Sequence, residues 1–342
     1  MTRVLAVRLD SDGDVLLTGP ALRALAAGAQ RLDVLVSPAG AAAARLLPGV
    51  DDVLVFDAPW TGYRPPAVDA AAVQALVQQL AGRGYDLAVV FTSFHQSPLP
   101  MALLARLAGI GRVAATSTDY PGSLLDVRHQ RLQGRHEVQA ALDLTRAAGA
   151  APLADDRLAV RHPLPHVDAL LPAGELVVVH PGASVPARAL GAGHAAAVVA
   201  RLRAEGRTVV VTGGPAETGL AAAAAAPGAT DLSGRTTLGE LAAVLQRAAC
   251  VVVGNTGPAH LAAAVGTPVV SLFSPVVPAQ RWAPWRVPHV LLGDQQAPCR
   301  DSRARECPVP GHPCLSGVAP EAVAAAVTSL VGAPAPAVAG GR

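Results

Sequence analysis

The chain contains no lysine among its 342 residues, and phenylalanine, tryptophan and tyrosine together make up only 3 % of it. Arginine carries every positive side-chain charge, a mark of a GC-rich genome more than of chemistry. A formal net charge of +2 is too small to hold a nucleic-acid backbone or an anionic membrane surface by electrostatics alone. Long apolar runs are also missing. The alanine-rich stretches are broken by arginine, glycine and proline, so none reaches the roughly 18 uncharged apolar residues of a spanning helix. The start, MTRVLAVRLDSDGD, offers an apolar run of only about five residues before acidic ones, too short for a secretory leader. These absences point to a soluble cytoplasmic protein.

Cysteine is scarce, with four residues in all. Cys250 sits at the edge of an apolar strand and reads as packing. Cys299, Cys307 and Cys314 lie with His312 in a proline-rich stretch, APCRDSRARECPVPGHPCL. A Cys₃His zinc site is the sharpest reading, but the spacing C-x₇-C-x₆-C lacks the close pair typical of zinc folds. A reduced structural loop or a labile disulfide suits it better. No metal is expected.

Hydrophobic residues make up 51 % of the sequence, and its length suits two domains, each able to bury a core. Apolar strands alternate with helices: strands at 3–8, 32–37, 50–57, 86–92 and 111–116, helices at 15–27, 41–47, 68–83, 99–107 and 136–148. Residues 117–130 have no clear periodicity and read as a functional loop or lid. The proline-rich stretch 150–174 interrupts the alternation and marks a boundary. A second series follows, with strands at 175–179, 207–212, 251–253 and 269–273, helices between them, and a last helix at 320–331. The expected fold is α/β: two facing Rossmann-like domains with a cleft between them, residues 1–160 and 161–332, and a frayed tail at 333–342.

The second series is organised around VVVGNTGPAHLAAAVGTPVVSLFSP, residues 251–275. This is a strand, a glycine turn, a small-residue helix and a second strand. Ligands of parallel sheets sit at strand carboxyl ends, and a helix N-terminus there offers N–H groups and positive dipole to a phosphate. His260 would point to the same place; the plainer reading is an ordinary crossover with a core histidine. Three other turns fall at strand carboxyl ends. Asp10-Ser11-Asp12-Gly13-Asp14 would repel a pyrophosphate, but a carboxylate there suits a general base; the alternative is that Asp12 or Asp14 only caps the helix. His180-Pro181-Gly182-Ala183-Ser184, with Arg188 behind it, suits an anion. Gly213-Gly214-Pro215-Ala216-Glu217 places an acid that could accept hydrogen bonds from a ribose diol, or simply sit solvated at a helix start.

With these blocks in order, the chain resembles glycosyltransferase family 9, the ADP-heptose:lipopolysaccharide heptosyltransferase family. The resemblance rests on Gly13-Asp14-Val15, HPGAS at 180–184, TGGPAE at 212–217, LSGRTTLGELAAVL at 232–245 and, most specifically, NTGPAHLAAAVGTPVVSLF at 255–273. It implies a GT-B fold and an inverting, metal-independent transfer of a sugar, a heptose in the first instance, from an ADP-sugar to a hydroxyl acceptor. It further implies that Asp14 is the base, that Ser184 and Arg188 contact the donor diphosphate, and that Glu217 contacts the ribose. Thr236 falls beside the adenine, and Thr256, Gly257 and His260 match the phosphate-binding helix start. Asn255 stands where the family usually has an aspartate against the donor sugar. Ala189-Leu190 replaces a basic residue and a tryptophan.

The implied partners are a nucleotide-sugar donor and a glycan, lipid-linked or small-molecule acceptor, with no nucleic acid and no cofactor. A lipid-linked acceptor would bring the protein to the inner face of the cytoplasmic membrane. The family's name implies lipopolysaccharide core, although a lysine-free, alanine-rich chain also fits a bacterium that makes another envelope glycan or a secondary metabolite. Two other readings share the architecture: a sugar-nucleotide epimerase, and a family member that binds nucleotide without turnover. Phe94-His95, at the end of a strand, is a weaker acceptor contact. His129 and His136 read as surface positions, and Trp282 and Trp285 as packing.

Overall fold

In the computed structural model, residues 2–93 and 96–333 are described; Phe94, His95 and most of the expected tail lie outside them. The chain divides into two compact units, residues 1–161 and 162–342. Each is built on one six-stranded parallel sheet.

In the first unit the strands are β1 (Arg3–Arg8), β2 (Arg31–Val36), β3 (Asp52–Val55), β4 (Leu87–Phe91), β5 (Arg112–Thr116) and β6 (Val127–His129). Their order is β3-β2-β1-β4-β5-β6. VLAV, LDVLV and LAVVF are near-continuous apolar runs because these central strands are covered by helices on both faces. Residues expected to form a lid supply β6, whose Val127 pairs with Ala114 of β5. A three-residue edge strand is too short to show a period, and it is held from outside. Asp126 Oδ2 accepts from the Val113 N–H at 2.6 Å and from Arg106 at 2.7 Å.

The first helix begins at Asp12 and runs to Ala26, earlier than the apolar pattern predicts. Ser11 is extended and takes the N-cap position, so Asp12 and Asp14 lie in the first turn, where the helix dipole favours carboxylates. Two histidines read as surface positions are not. His136 is buried and caps the helix Glu137–Ala147, its Nδ1 accepting from the Val138 N–H at 3.2 Å. His129 is half-buried in β6, 2.8 Å from Thr116 Oγ1.

The second unit holds β7 (Leu176–His180), β8 (Thr208–Val211), β9 (Thr230–Asp231), β10 (Ala248–Gly254), β11 (Val269–Leu272) and β12 (His289–Leu292). Their order, β12-β11-β10-β7-β8-β9, repeats the pattern of the first unit. β12 has no counterpart in the expected elements: HVLL is short, directly follows Pro288, and is exposed at alternate residues as an edge strand. Small alanine side chains let the helices Ala192–Ala204 and Pro320–Val331 lie close to β7 and β10, burying Val177, Val179, Val252, Val198 and Val323 together. Among the described residues no helix is long and apolar enough to cross a membrane.

In both sheets the chain winds outward from a central strand, first to one side and then to the other. The crevice where neighbouring connections diverge lies between β1 and β4 in one unit and between β7 and β10 in the other.

One buried acid stands out at the opposite end of the first sheet. Asp33 is fully buried and meets Arg31 and Arg83, each at 2.8 Å, and the Tyr85 hydroxyl at 2.6 Å. Both arginines keep some solvent contact, so they can be rehydrated if the acid is lost. Asp33→Ala should therefore destabilise the protein by about 1–3 kcal/mol, read as a lower urea midpoint at unchanged slope.

Candidate functional site

At the first crevice the chemistry is built on Arg8, the last residue of β1. Only 4 % of it is exposed. Its Nε lies 2.8 Å from Asp10, and its Nη2 donates to Asp14 Oδ1 at 3.1 Å and to Ser93 Oγ at 3.0 Å. Burial alone would lower the guanidinium pKa, but Asp10, Asp14 and Glu137 outweigh it and raise it. Across the crevice Gln96, beyond β4, donates to Asp10 Oδ1 at 2.7 Å. Burial pushes the Asp10 carboxyl up and Arg8 pulls against it.

The three acids of this turn are thus separated by their partners. Asp10 is occupied on one oxygen by Arg8 and on the other by Gln96. Asp12 Oδ1 accepts from the Ala43 N–H at 2.9 Å, and burial raises its pKa. Asp14 keeps 23 % of its side chain exposed while Arg8 fixes one of its oxygens. Neither Asp12 nor Asp14 caps the helix, since Ser11 occupies that position and makes no side-chain cap bond. A half-exposed carboxylate held by a buried cation, at the carboxyl end of a central strand, is placed to accept a proton from a bound hydroxyl.

At the second crevice four turns follow β7, β8, β9 and β10. The turn after β7 carries Gly182, whose missing side chain makes room for Glu217: a Cβ there would lie 2.2 Å from Glu217 Cδ and displace the carboxylate. Glu217 is seated over that backbone. Its Oε2 accepts from the Gly214 N–H at 2.7 Å and lies 3.6 Å from Nε2 of buried His180. His180 Nδ1 is 3.0 Å from Thr212 Oγ1. Burial lowers the His180 pKa, against the opposing pull of Glu217. Gly234 donates its N–H to the Gly213 carbonyl at 2.9 Å, which brings the turn carrying half-buried Thr236 beside the turn carrying Glu217.

The Pro186–Arg188 turn meets the end of β10. A Cβ on Gly254 would lie 2.4 Å from the Arg188 carbonyl oxygen, so the backbone of half-buried Arg188 reaches the end of β10, next in sequence to Asn255 and Thr256. Thr256 is the extended N-cap of the helix Gly257–Ala264, and buried His260 is in its first turn. Ser184 is exposed at the rim of the same turn. Asn255 behaves differently from the other candidates. Its amide accepts from the Ser274 N–H and donates to the Ser274 carbonyl, both at 3.1 Å. An aspartate could not donate, so the amide suits a staple between the ends of β10 and β11. Leu190, in place of an aromatic, is buried in the core.

Sequence reasoning passed over Arg8, Ser93 and Gln96 as site residues, and named His180 only as the first residue of an anion-suited turn. Each is a single residue on a strand or loop, and only the strand order shows that β1 and β4, or β7 and β8, are neighbours. The four free cysteines form no disulfide. Among the described residues no group of three or more His, Cys, Asp or Glu side chains has the geometry to hold a metal ion.

A histidine whose folded pKa lies below its unfolded value binds fewer protons when folded, so its stability contribution is complete above about pH 6.5 and declines as pH falls. Denaturant midpoints of the wild type should fall between pH 7 and pH 5.5, and His180→Gln should have a measurably smaller slope over that window.

Comparison with known proteins bears on the fold and the family. The structure of a family 9 glycosyl transferase from Veillonella parvula superposes with a TM-score of 0.78 at 17 % identity, over 96 % of this chain and 97 % of that one. Escherichia coli ADP-heptose lipopolysaccharide heptosyltransferase II gives 0.75 at 18 % identity, covering 96 % and 98 %. Escherichia coli heptosyltransferase WaaC with ADP gives 0.69 at 21 %, covering 97 % and 99 %. At these identities the likeness is one of fold. In sequence, lipopolysaccharide heptosyltransferase 3 of Escherichia coli is 36 % identical over 118 residues, 32 % of this chain and 34 % of that protein. The match thus spans about a third of that relative's length. The model of glycosyltransferase family 9 (heptosyltransferase) matches residues 73–312, a stretch that takes in every candidate from Ser184 to His260 but not Asp14. Since that stretch is more than half of the sequence, the chain belongs to glycosyltransferase family 9.

Proposed function

We propose that this protein transfers a sugar, a heptose in the first instance, from an ADP-linked donor to a hydroxyl of an envelope glycan or related acceptor, with inversion and without a metal ion. The observation that carries this reading is the contact between Gly254 and the Arg188 carbonyl. It brings the backbone of Arg188 to the end of β10, just before the helix Gly257–Ala264, and in this reading the Arg188 guanidinium and the helix dipole serve one diphosphate. Glu217, seated over Gly182 and fixed by the Gly214 N–H, is the acceptor for a ribose diol. Thr236, on the adjoining turn, borders the adenine. ADP and ADP-2-deoxy-2-fluoro heptose are the ligands of the two WaaC structures, which supports an ADP-heptose donor.

In the transfer step the acceptor hydroxyl hydrogen-bonds to Asp14 and attacks C1 of the donor sugar in line. Its proton passes to the carboxylate as the glycosidic C1–O bond breaks. Arg8 keeps Asp14 oriented, which matters because proton transfer depends on geometry before basicity. The departing diphosphate gains charge, and Arg188, the helix start and His260 stabilise it more strongly in the transition state than in the ground state. The acceptor class follows the name of lipopolysaccharide heptosyltransferase 3, the relative matched in sequence; a lipid-linked acceptor would place the reaction at the cytoplasmic membrane face.

Calorimetric titration with ADP, UDP, GDP and NAD, without added metal, tests the donor. ADP should bind, and Arg188→Ala should weaken it by about 1.5–3 kcal/mol, the worth of a charged hydrogen bond. Asp14→Asn should leave ADP affinity unchanged and lower kcat on the order of 100- to 10,000-fold. Preference for UDP or GDP would retire the heptose, and binding of none of the four would sink the transferase reading. Gly182→Ala should displace the Glu217 carboxylate and weaken ADP about tenfold, a loss of about 1.4 kcal/mol. Inorganic pyrophosphate, which has no ribose, should bind both proteins alike.

A further inference from the structure

The proposed chemistry leaves the cysteine-bearing segment, residues 297–316, without a part. Its backbone and side chains nevertheless grip the turn that carries Ser184 and Arg188. The Arg305 carbonyl accepts from the Ala187 N–H at 2.8 Å, and Arg305 Nη2 donates to the Ser184 carbonyl at 3.2 Å. His312 Nε2 stands 3.1 Å from the Ala187 carbonyl. A carbonyl only accepts, so this nitrogen carries the proton. Both backbone groups of Ala187, the middle residue of the turn Pro186–Arg188, are therefore held from more than a hundred residues away.

That turn has few bonds of its own. It is three residues long, begins with a proline that has no N–H, and its backbone makes short-range bonds from Arg188 to Val185 and from Ala189 to Pro186, with the following Leu190 N–H donated to the Pro181 carbonyl. The segment gripping it is in turn anchored firmly. Cys299 and Cys314 are each 2 % exposed and pack in the core with Ala187 and Leu190. Burial pushes the Cys314 thiol up to about 11, so it stays protonated and serves as a small apolar anchor, not a nucleophile. The Arg303 N–H donates to the Val276 carbonyl at 2.8 Å and the Asp301 N–H to the Pro275 carbonyl at 2.9 Å. Asp301, Arg303 and His312 all adopt positive φ, between 54° and 58°. Residues with a Cβ keep that conformation only where the surroundings over-determine it.

We propose that this segment is the brace of the donor site, with Arg305 and His312 as positioning residues that hold the Ser184–Arg188 turn in its binding conformation. The inference rests on Arg188 being a diphosphate contact. It predicts an effect on donor binding from residues that need not touch the donor. Loss of the grip lets the turn sample other conformations, and the ADP affinity falls by the fraction of time it spends outside the competent one.

The test uses the full chain in five forms: wild type, His312→Ala, His312→Gln, Arg305→Ala and Arg188→Ala. Amide hydrogen exchange over residues 184–190 should accelerate about tenfold in His312→Ala, and ADP affinity should fall about fivefold with donor KM rising and kcat nearly unchanged. His312→Gln, which can again present an N–H to the Ala187 carbonyl, should recover both. Arg305→Ala, which removes the side-chain bond to the Ser184 carbonyl and spares the backbone contact, should act in the same direction more weakly; it decides the matter if His312→Ala does not fold. Unchanged exchange in a folded variant would overturn the brace. Faster exchange with unaltered ADP affinity would overturn its role in donor binding. If wild type binds ADP but Arg188→Ala binds it equally well, the fault lies with the assignment of Arg188, and the exchange arm alone still decides whether the segment holds the turn.

Discussion

Parallel strand pairing is the constraint on which this molecule depends. In a parallel sheet every strand ends on the same edge, so backbone groups that the ladder leaves unpaired collect there, together with the amino ends of the following helices. Where the winding direction reverses, neighbouring connections part and leave room between them. The chain uses that room twice. Between β1 and β4 it sets Arg8, Asp10, Asp14, Ser93 and Gln96; between β7 and β10 it sets the turns of Gly182 and Arg188 and the helix start at Thr256. The same strand order thus supports a carboxylate in one unit and a set of donors and cations in the other.

Close backbone approach makes the second crevice work. Gly182 and Gly254 have ordinary φ values, so their glycines are not there for a left-handed turn. At Gly254 a Cβ would run into the backbone carbonyl of Arg188, and at Gly182 it would displace the Glu217 carboxylate. At the first crevice the corresponding device is electrostatic. A buried guanidinium is tolerable only with its charge answered, and Arg8 is answered by two acids of one turn. That arrangement commits Asp10 to the scaffold and leaves Asp14 facing outward. Three carboxylates with one spacing in sequence thereby acquire three different roles.

Asn255 illustrates how a change that looks like a loss of charge can be a gain of structure. An aspartate at this position could accept from the Ser274 N–H but would face the Ser274 carbonyl with negative charge. The amide satisfies both, tying the ends of two central strands together at the point where the helix Gly257–Ala264 begins.

The apolar runs by themselves determined the two parallel α/β units, most strand and helix positions, and the four turns that carry Asp14, Arg188, Glu217 and Thr256, because burial on both faces of a sheet and turn chemistry are local properties of the chain. Local pattern was weakest where an element is held from outside. β6, β12, the capping role of His136 and the early start of the helix at Asp12 each depend on a partner distant in sequence. Tertiary structure alone decided which of three neighbouring acids remains half-exposed, that Arg8 and Gln96 belong to the same site, that Asn255 is turned onto Ser274, and that Arg305 and His312 reach the turn before Arg188. The reason is physical: those outcomes depend on which strands lie side by side or on a segment that returns from far along the chain, and no window of sequence contains either.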